Sequence, residues 1–284
     1  MNTKCLLAVY FAVAVISCRK GDCPPEEAPK LPDALVADIP AVRLKDMSVE
    51  KLPSPNYHFV YNDSGYITQV SYASGLTQYD ITYSGKKILK IETNKDAPFD
   101  INKDRLDYEY SNGDPAVIKV TNKNGVLYRR CLLTFLPAHR LQKLTWEVNQ
   151  GAGFTAEQTL TFSYYSDGNL QEIAYHDFPV GPLVENTYTD RFENYDNKVN
   201  VDGFTWLHTI TSIYHPILLP SVKLQINNPG RNVHTAVKGL SYDARYSYTY
   251  DAQGRPLTRT GLVSYTGSTG GGGQFQSSTT FTYY

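Results

Sequence analysis

Asp190, Glu193, Asp196 and Asp202 crowd into a short run of chain; His176-Asp177 lies just before them, and His208, His215 and His234 follow. Residues of these types do chemistry in a few known ways. Two carboxylates flanking a glycosidic bond hydrolyse it, and their separation in space sets the outcome. Spacing along the chain does not fix that separation. Calcium needs oxygen ligands at regular loop positions, but "DNKVNVDG" puts Lys198 where an oxygen belongs. Zinc sites pair histidines at i, i+4 or in a compact spacing, and none of the six histidines is so placed. No serine has a G-x-S-x-G setting, and Cys131 has no partner motif. The glycines of "TGSTGGGG", residues 266–273, lack the lysine and helix of a phosphate loop and read as a flexible connection. The sequence therefore assigns no catalytic residue, no metal ligand and no cofactor. A hydrolase built on the 176–234 stretch is permitted without being specified.

The residue in excess is tyrosine, with 23 copies. Its flat ring and polar tip suit binding surfaces, and Trp146 and Trp206 add two further faces on which a sugar stacks. Tyrosine also favours half-buried strands, and its positions decide between the roles. "VYNDSGYITQVSY" (60–72), "SYYSDGNLQEIAY" (163–175) and "YTYDAQGRPLTRT" (248–260) share one frame: a tyrosine, a polar cluster, a glycine, then spaced apolar residues. Looser copies surround Tyr83-Gly85, Tyr108-Tyr110-Gly113 and Phe135-Leu141, the last without glycine. In "YHFVY", Tyr57, Phe59 and Tyr61 alternate against His58 and Val60, the period of a pleated strand. Gly65 stands where a type I turn needs a left-handed residue. The uneven step Ile67, Val70, Tyr72 requires a bulge just after that turn. Each unit is thus a β-hairpin, read first as structure, and a hairpin buries its apolar face only by pairing with neighbours.

The fold class that follows is all-β. It is an antiparallel up-and-down meander of roughly ten to fourteen strands, curling into a barrel or half-barrel to hide its edges. Residues 177–240 lack the frame and read as an irregular insertion that caps or plugs the barrel. Within it Phe204, Leu207 and Ile210 to Tyr214 form a short helix ended by Pro216. An outer-membrane barrel is the rival architecture, given the terminal "TTFTYY". Lys, Asp, Glu and Gln at outward positions oppose it.

The frame "Y-x-Y-[D/N]-x-x-G-x-L-x-x-I-x-Y" resembles the tyrosine-aspartate repeats of the Rhs class. At the start of the chain, Met1 to Lys4 and the uncharged run Cys5–Ser17 read as a signal peptide, residues 1–17, too short to span a bilayer. "VISC" followed by Arg19 and Lys20 resembles a lipobox cut before Cys18, with Val15 and Ile16 in place of the usual leucine and small residue. Cys18 is then the lipid attachment site. Residues 18–55, with Pro24, Pro25, Pro29, Pro32, Pro40, Pro53 and Pro55, read as a tether reaching up to about 100 Å. Residues 56–284 make the repeat-built domain. Lipobox, tether, hairpins and the segments "YDNKVNVDGFTWL" and "INNPG" together resemble a Bacteroidota lipoprotein family of unknown function described as having a porin-like fold.

Net charge is −1, with no basic cluster, which opposes nucleic acid as a partner. Of the four cysteines, Cys23 and Cys131 remain beyond the leader and the lipid site; they either form a disulfide or stay apart. The expected protein is an outer-membrane lipoprotein, held to the membrane by its N-terminal lipid and facing the cell surface or the periplasm. Its expected role is a binding or interaction module for a glycan, a peptide or an envelope protein. The alternatives are a structural or assembly factor without a small ligand, and the hydrolase above.

Overall fold

Every copy of the tyrosine frame is a β-hairpin in the computed structural model, which describes residues 42–98, 102–181, 183–201, 205–207, 215–219, 222–267 and 270–284. All of these belong to the compact unit Leu31–Tyr284. The expected signal peptide, Cys18, Cys23 and most of the expected tether lie outside the described residues. In chain order the strands are β1 (Leu44–Val49), β2 (Tyr57–Tyr61), β3 (Ile67–Tyr72), β4 (Thr77–Ser84), β5 (Lys87–Thr93) and β6 (Arg105–Ser111). There follow β7 (Asp114–Thr121), β8 (Leu127–Leu136), β9 (Arg140–Asn149), β10 (Phe154–Tyr164), β11 (Leu170–Asp177) and β12 (Asn186–Glu193). The last are β13 (Thr205–Leu207), β14 (Ile217–Leu219), β15 (Arg231–Ala236), β16 (Leu240–Tyr250), β17 (Pro256–Gly267) and β18 (Gly272–Tyr283). Sixteen of them close an antiparallel barrel in which β12 passes directly to β15 and β1 pairs with both β2 and β18; β13 and β14 form a separate ribbon.

The turn chemistry explains the frame. In the first hairpin the Asn62 carbonyl accepts the Gly65 N–H at 2.9 Å, and Gly65 sits at φ +86°. Tyr61 then pairs with Ile67 and Val60 with Gln69, so Thr68 is the extra, bulged residue. The same shift pairs Tyr164 with Leu170 and Tyr250 with Pro256. The copy without glycine puts Ala138 and His139 in the left-handed region instead, and Phe135 still pairs with Leu141.

The frame tyrosines join one hairpin to the next. Tyr61 donates its hydroxyl to the Leu44 carbonyl at 2.9 Å, Tyr83 to Ile67 at 2.9 Å, Tyr164 to Leu141 at 2.7 Å and Tyr195 to Leu170 at 2.7 Å. Tyr283 donates to Pro256, and Tyr284 to Phe59 at 2.9 Å across the closure. Each acceptor but the last lies in the strand before or at the start of a return strand, so the hydroxyls run as a stair around one end of the barrel. Phe135 has no hydroxyl and breaks it.

Side chains alternate between the two faces of the wall. Ile91, Leu106 and Val120 follow one another in register across β5, β6 and β7 and are buried inside. The neighbouring outward row reads Lys90, Asp107, Lys119, Arg130 and Glu147. A lipid-spanning barrel needs the reverse, an apolar outer band; across β5 to β9 this row is charged instead.

Four expectations need correction. Sixteen barrel strands exceed the expected number, because β1 comes from the presumed tether, and β12 and β15 from the presumed insertion. The barrel therefore begins by Leu44, inside the stretch expected to be tether, and the insertion narrows to residues 194–230. Thr205–Leu207 is extended and pairs with Ile217–Leu219, not helical; Phe204 and Ile210 to Tyr214 lie outside the described residues. The connection at 266–273 is shorter than expected, since Thr266 pairs with Gly272 and Tyr265 with Gly273. Cys131 is a buried free thiol among the inward-facing residues.

Candidate ligand cavity in the plugged lumen

The insertion is stapled to the barrel rim by asparagines. The buried Asn169 side chain, in the turn after β10, accepts the N–H groups of Ile226 at 2.9 Å and Asn227 at 3.0 Å. Asp196 accepts the Asn228 N–H at 3.1 Å and the Tyr250 hydroxyl. The Asn200 N–H closes onto the Ile226 carbonyl at 2.9 Å. "YDNKVN" and "INNPG" are therefore the two legs of one clamp. Asp196, a candidate for calcium or catalysis, is engaged in this clamp.

From the clamp the insertion enters the lumen. Ile217, Leu218, Leu219, Val222 and Leu224 are buried against the inward faces of the first strands. The Leu218 N–H donates to the buried Tyr108 hydroxyl at 3.1 Å, and the Trp206 ring meets Tyr79 edge-on at 5.3 Å. His215 lies 2.9 Å from Asp104, which also accepts the Tyr128 hydroxyl at 2.8 Å. Partial burial pushes the Asp104 carboxyl up, but the hydrogen bonds from His215 and Tyr128 and the charges of His215 and Arg129 more than offset it and hold it below the usual carboxylate range.

The plug fills only part of the lumen. On its other side, against β15 to β18 and β1 to β2, a cavity of about 600 Å³ remains, within the range of small-ligand sites. Its walls carry rings, Tyr57, Phe59 and Tyr61 from β2, Tyr242, Tyr246 and Tyr248 from β16 and Trp206 on the plug, beside aliphatic side chains such as Leu44, Met47 and Val49 of β1. Gly261 leaves room for one of them, since a Cβ there would stand 2.9 Å from the Tyr246 ring.

Polar groups are set among the rings. Asp190 takes the His234 Nδ1–H at 2.8 Å and hydrogen bonds from the Tyr175 and Tyr242 hydroxyls. Burial, joined by the Asp190 charge, pushes both phenols well above their usual range. Arg259 lies over the Tyr246 ring at 5.1 Å and donates to Thr279 Oγ1 at 3.3 Å. Asn56 and Asn232, 2% and 5% exposed, also line the space. The Asn56 Oδ1 and the Asn232 Nδ2 are buried with no hydrogen-bond partner among the described residues.

The structure thus scatters the residues flagged by sequence. Asp190 lines the cavity and holds His234; Glu193 lies outside, bound to Arg191 and Arg231. His176 pairs with Glu185 at 3.1 Å, Asp177 accepts from Gln158 at 2.7 Å, and His215 belongs to the plug. His208 and Asp202 lie outside the described residues. Among the described residues no three histidines, cysteines or acids form a group able to hold a metal. Trp146, offered as a sugar platform, is buried in the core; Trp206 does line the cavity. Asn56, Asn232 and Arg259 were not legible as site residues. Strand parity would have exposed them, since each falls on the inward face of its strand or at its foot.

No protein-family profile matches the chain, and neither does any curated protein. Among solved structures it is similar to one described as a porin-like protein from Bacteroides uniformis, at 13% identity over 80% of this chain and 89% of that one, with a TM-score of 0.52. A second, described as a porin-like protein from Bacteroides vulgatus, is 10% identical over 85% of this chain and 99% of that one, with a TM-score of 0.48. The first likeness shows a shared fold.

Proposed function

We propose that this protein is a lipid-anchored binding module of the cell envelope that takes a small ligand into its lumen. The observation that carries the reading is the cavity of about 600 Å³ left beside the plug, lined by rings and by Asn56 and Asn232, whose Oδ1 and Nδ2 have no partner among the described residues. Orphaned buried polar atoms cost stability, and a ligand that satisfies them accounts for their retention. Anchoring at Cys18 rests on "VISC" and the proline stretch that follows. The charged outer wall suits a barrel that stands off the membrane on its tether. The Bacteroides structures described as porin-like fit an envelope setting for such a barrel.

Two measurements test this. Native mass spectrometry of protein released gently from membranes should find a small molecule bound at one copy per chain. Ligand-free protein that also shows no thermal shift across a broad metabolite panel would sink the luminal reading. Separately, Cys18→Ala should move the protein from the membrane fraction to the soluble fraction. Protease shaving of intact cells then decides between surface and periplasm.

A further inference from the structure

The two charged residues in the cavity wall are not equally provided for. Asp190 has His234 and the hydroxyls of Tyr175 and Tyr242. Arg259 has only neutral company: Thr279 Oγ1, the Tyr248 hydroxyl and the face of Tyr246. No carboxylate among the described residues lies in ion-pair reach of it. A guanidinium beside enclosed space, with spare N–H groups, is built for a planar anion, and a carboxylate matches its fork.

Resting on the reading of the lumen as a ligand site, we infer that the ligand is an acidic sugar, a polyhydroxylated ring bearing one carboxylate that Arg259 pairs. Arg259, with no carboxylate partner among the described residues, can pair one incoming carboxylate. Among the described residues the Asn56 Oδ1 lacks a donor and the Asn232 Nδ2 lacks an acceptor, and a sugar hydroxyl that reaches them as the wall adjusts serves as either. The tyrosine rings and Trp206 supply apolar platforms for the sugar faces. An aromatic acid would satisfy Arg259 and the rings while leaving the Asn56 oxygen without a donor. A neutral sugar would satisfy the amides and leave the guanidinium unpaired.

The test compares galacturonate with galactose, which differ in the carboxylate, on the purified protein at low salt by ligand-observed NMR and calorimetry. Galacturonate should bind about tenfold or more tightly than galactose, the size of a charge-assisted hydrogen bond. The preference should weaken with added salt. Arg259→Gln should erase the preference, with its fold checked by thermal unfolding, and Arg259→Lys should keep part of it. Asn232→Leu should lower affinity for both sugars while leaving stability equal or higher, because it removes an orphaned donor; a purely structural amide would lose stability instead. Equal binding of the two sugars overturns the role given to Arg259. Binding of an apolar dye that neither sugar displaces overturns the sugar assignment and leaves the luminal site standing. A lumen that takes neither sugar, dye nor any panel compound overturns both.

Discussion

Replacing Tyr83 with phenylalanine removes one oxygen from the hydroxyl stair and little else. The ring keeps its tilted contact with Tyr66 at 5.2 Å, while the Ile67 carbonyl loses the donor it holds at 2.9 Å. A hydrogen bond of this kind contributes a net ~1 kcal/mol, and a carbonyl left without a partner adds to the loss, so Tyr83→Phe should cost about 1–2 kcal/mol. In a barrel of this size that lowers the melting temperature by roughly 2–4 °C for each kcal/mol. Urea unfolding should show a lower midpoint at unchanged slope, since no extra surface is exposed. The natural break in the stair supplies the converse. Phe135 occupies a tyrosine position, and Phe135→Tyr should add up to about 1 kcal/mol by reaching the backbone of the preceding hairpin. A Tyr83→Phe protein as stable as wild type within error would refute the stair as a source of stability and reduce the repeated tyrosine to β-propensity.

Other perturbations follow from the same contacts. Asp104 titrates below its unfolded value, so its contribution is complete above about pH 4 and is lost as pH falls through the folded pKa. Asp104→Asn should lower stability at neutral pH and flatten the acid limb of a stability-against-pH curve. Burial holds the Tyr110 and Tyr248 phenols up to about 12; the folded state is favoured fully below the unfolded value near 10 and loses that contribution as pH rises. Phenolate absorbance should therefore lag that of the unfolded chain and rise together with loss of circular dichroism. The Cys131 thiol, buried and pushed well above its usual range, should resist alkylation in the native protein and react in denaturant, as peptide mapping would show.

The hairpins were legible because a turn is local chemistry. Tyr61, Gly65 and Ile67 fix a turn, a bulge and a strand within a few residues. β12 and β15 were missed because polar residues interrupt their inward rows, Asp190 standing between Tyr188 and Phe192. β12 points Asp190 into the lumen, and β15 points Asn232 and His234, so the alternation that betrays a strand is broken where the cavity needs polar groups. β1 was missed for a different reason, since "LKDMSV" carries a register shift between Leu44 and Asp46 that blurs its period. Leu207, assigned to a helix, stands in a strand instead; short apolar runs do not separate helix from strand. Pairing with Ile217–Leu219 decided the matter. Arg259 was invisible for want of a register: once Tyr246 is set opposite Gly261, its place on the inward face follows.

The seam of the ring joins distant parts of the sequence. Leu44 lies opposite Tyr283, and the Tyr284 N–H reaches the Arg43 carbonyl at 3.1 Å. A chain leaving the ribosome from its N-terminal side can fold its hairpins one after another, but β1 has no second partner until the final strand has been released. Closure thus waits for β18. A product cut short before Gly272 would keep its earlier hairpins and still present two raw sheet edges, the kind of surface on which chains aggregate. For this barrel, the capacity to close depends on whether the strand Gly272–Tyr283 has arrived.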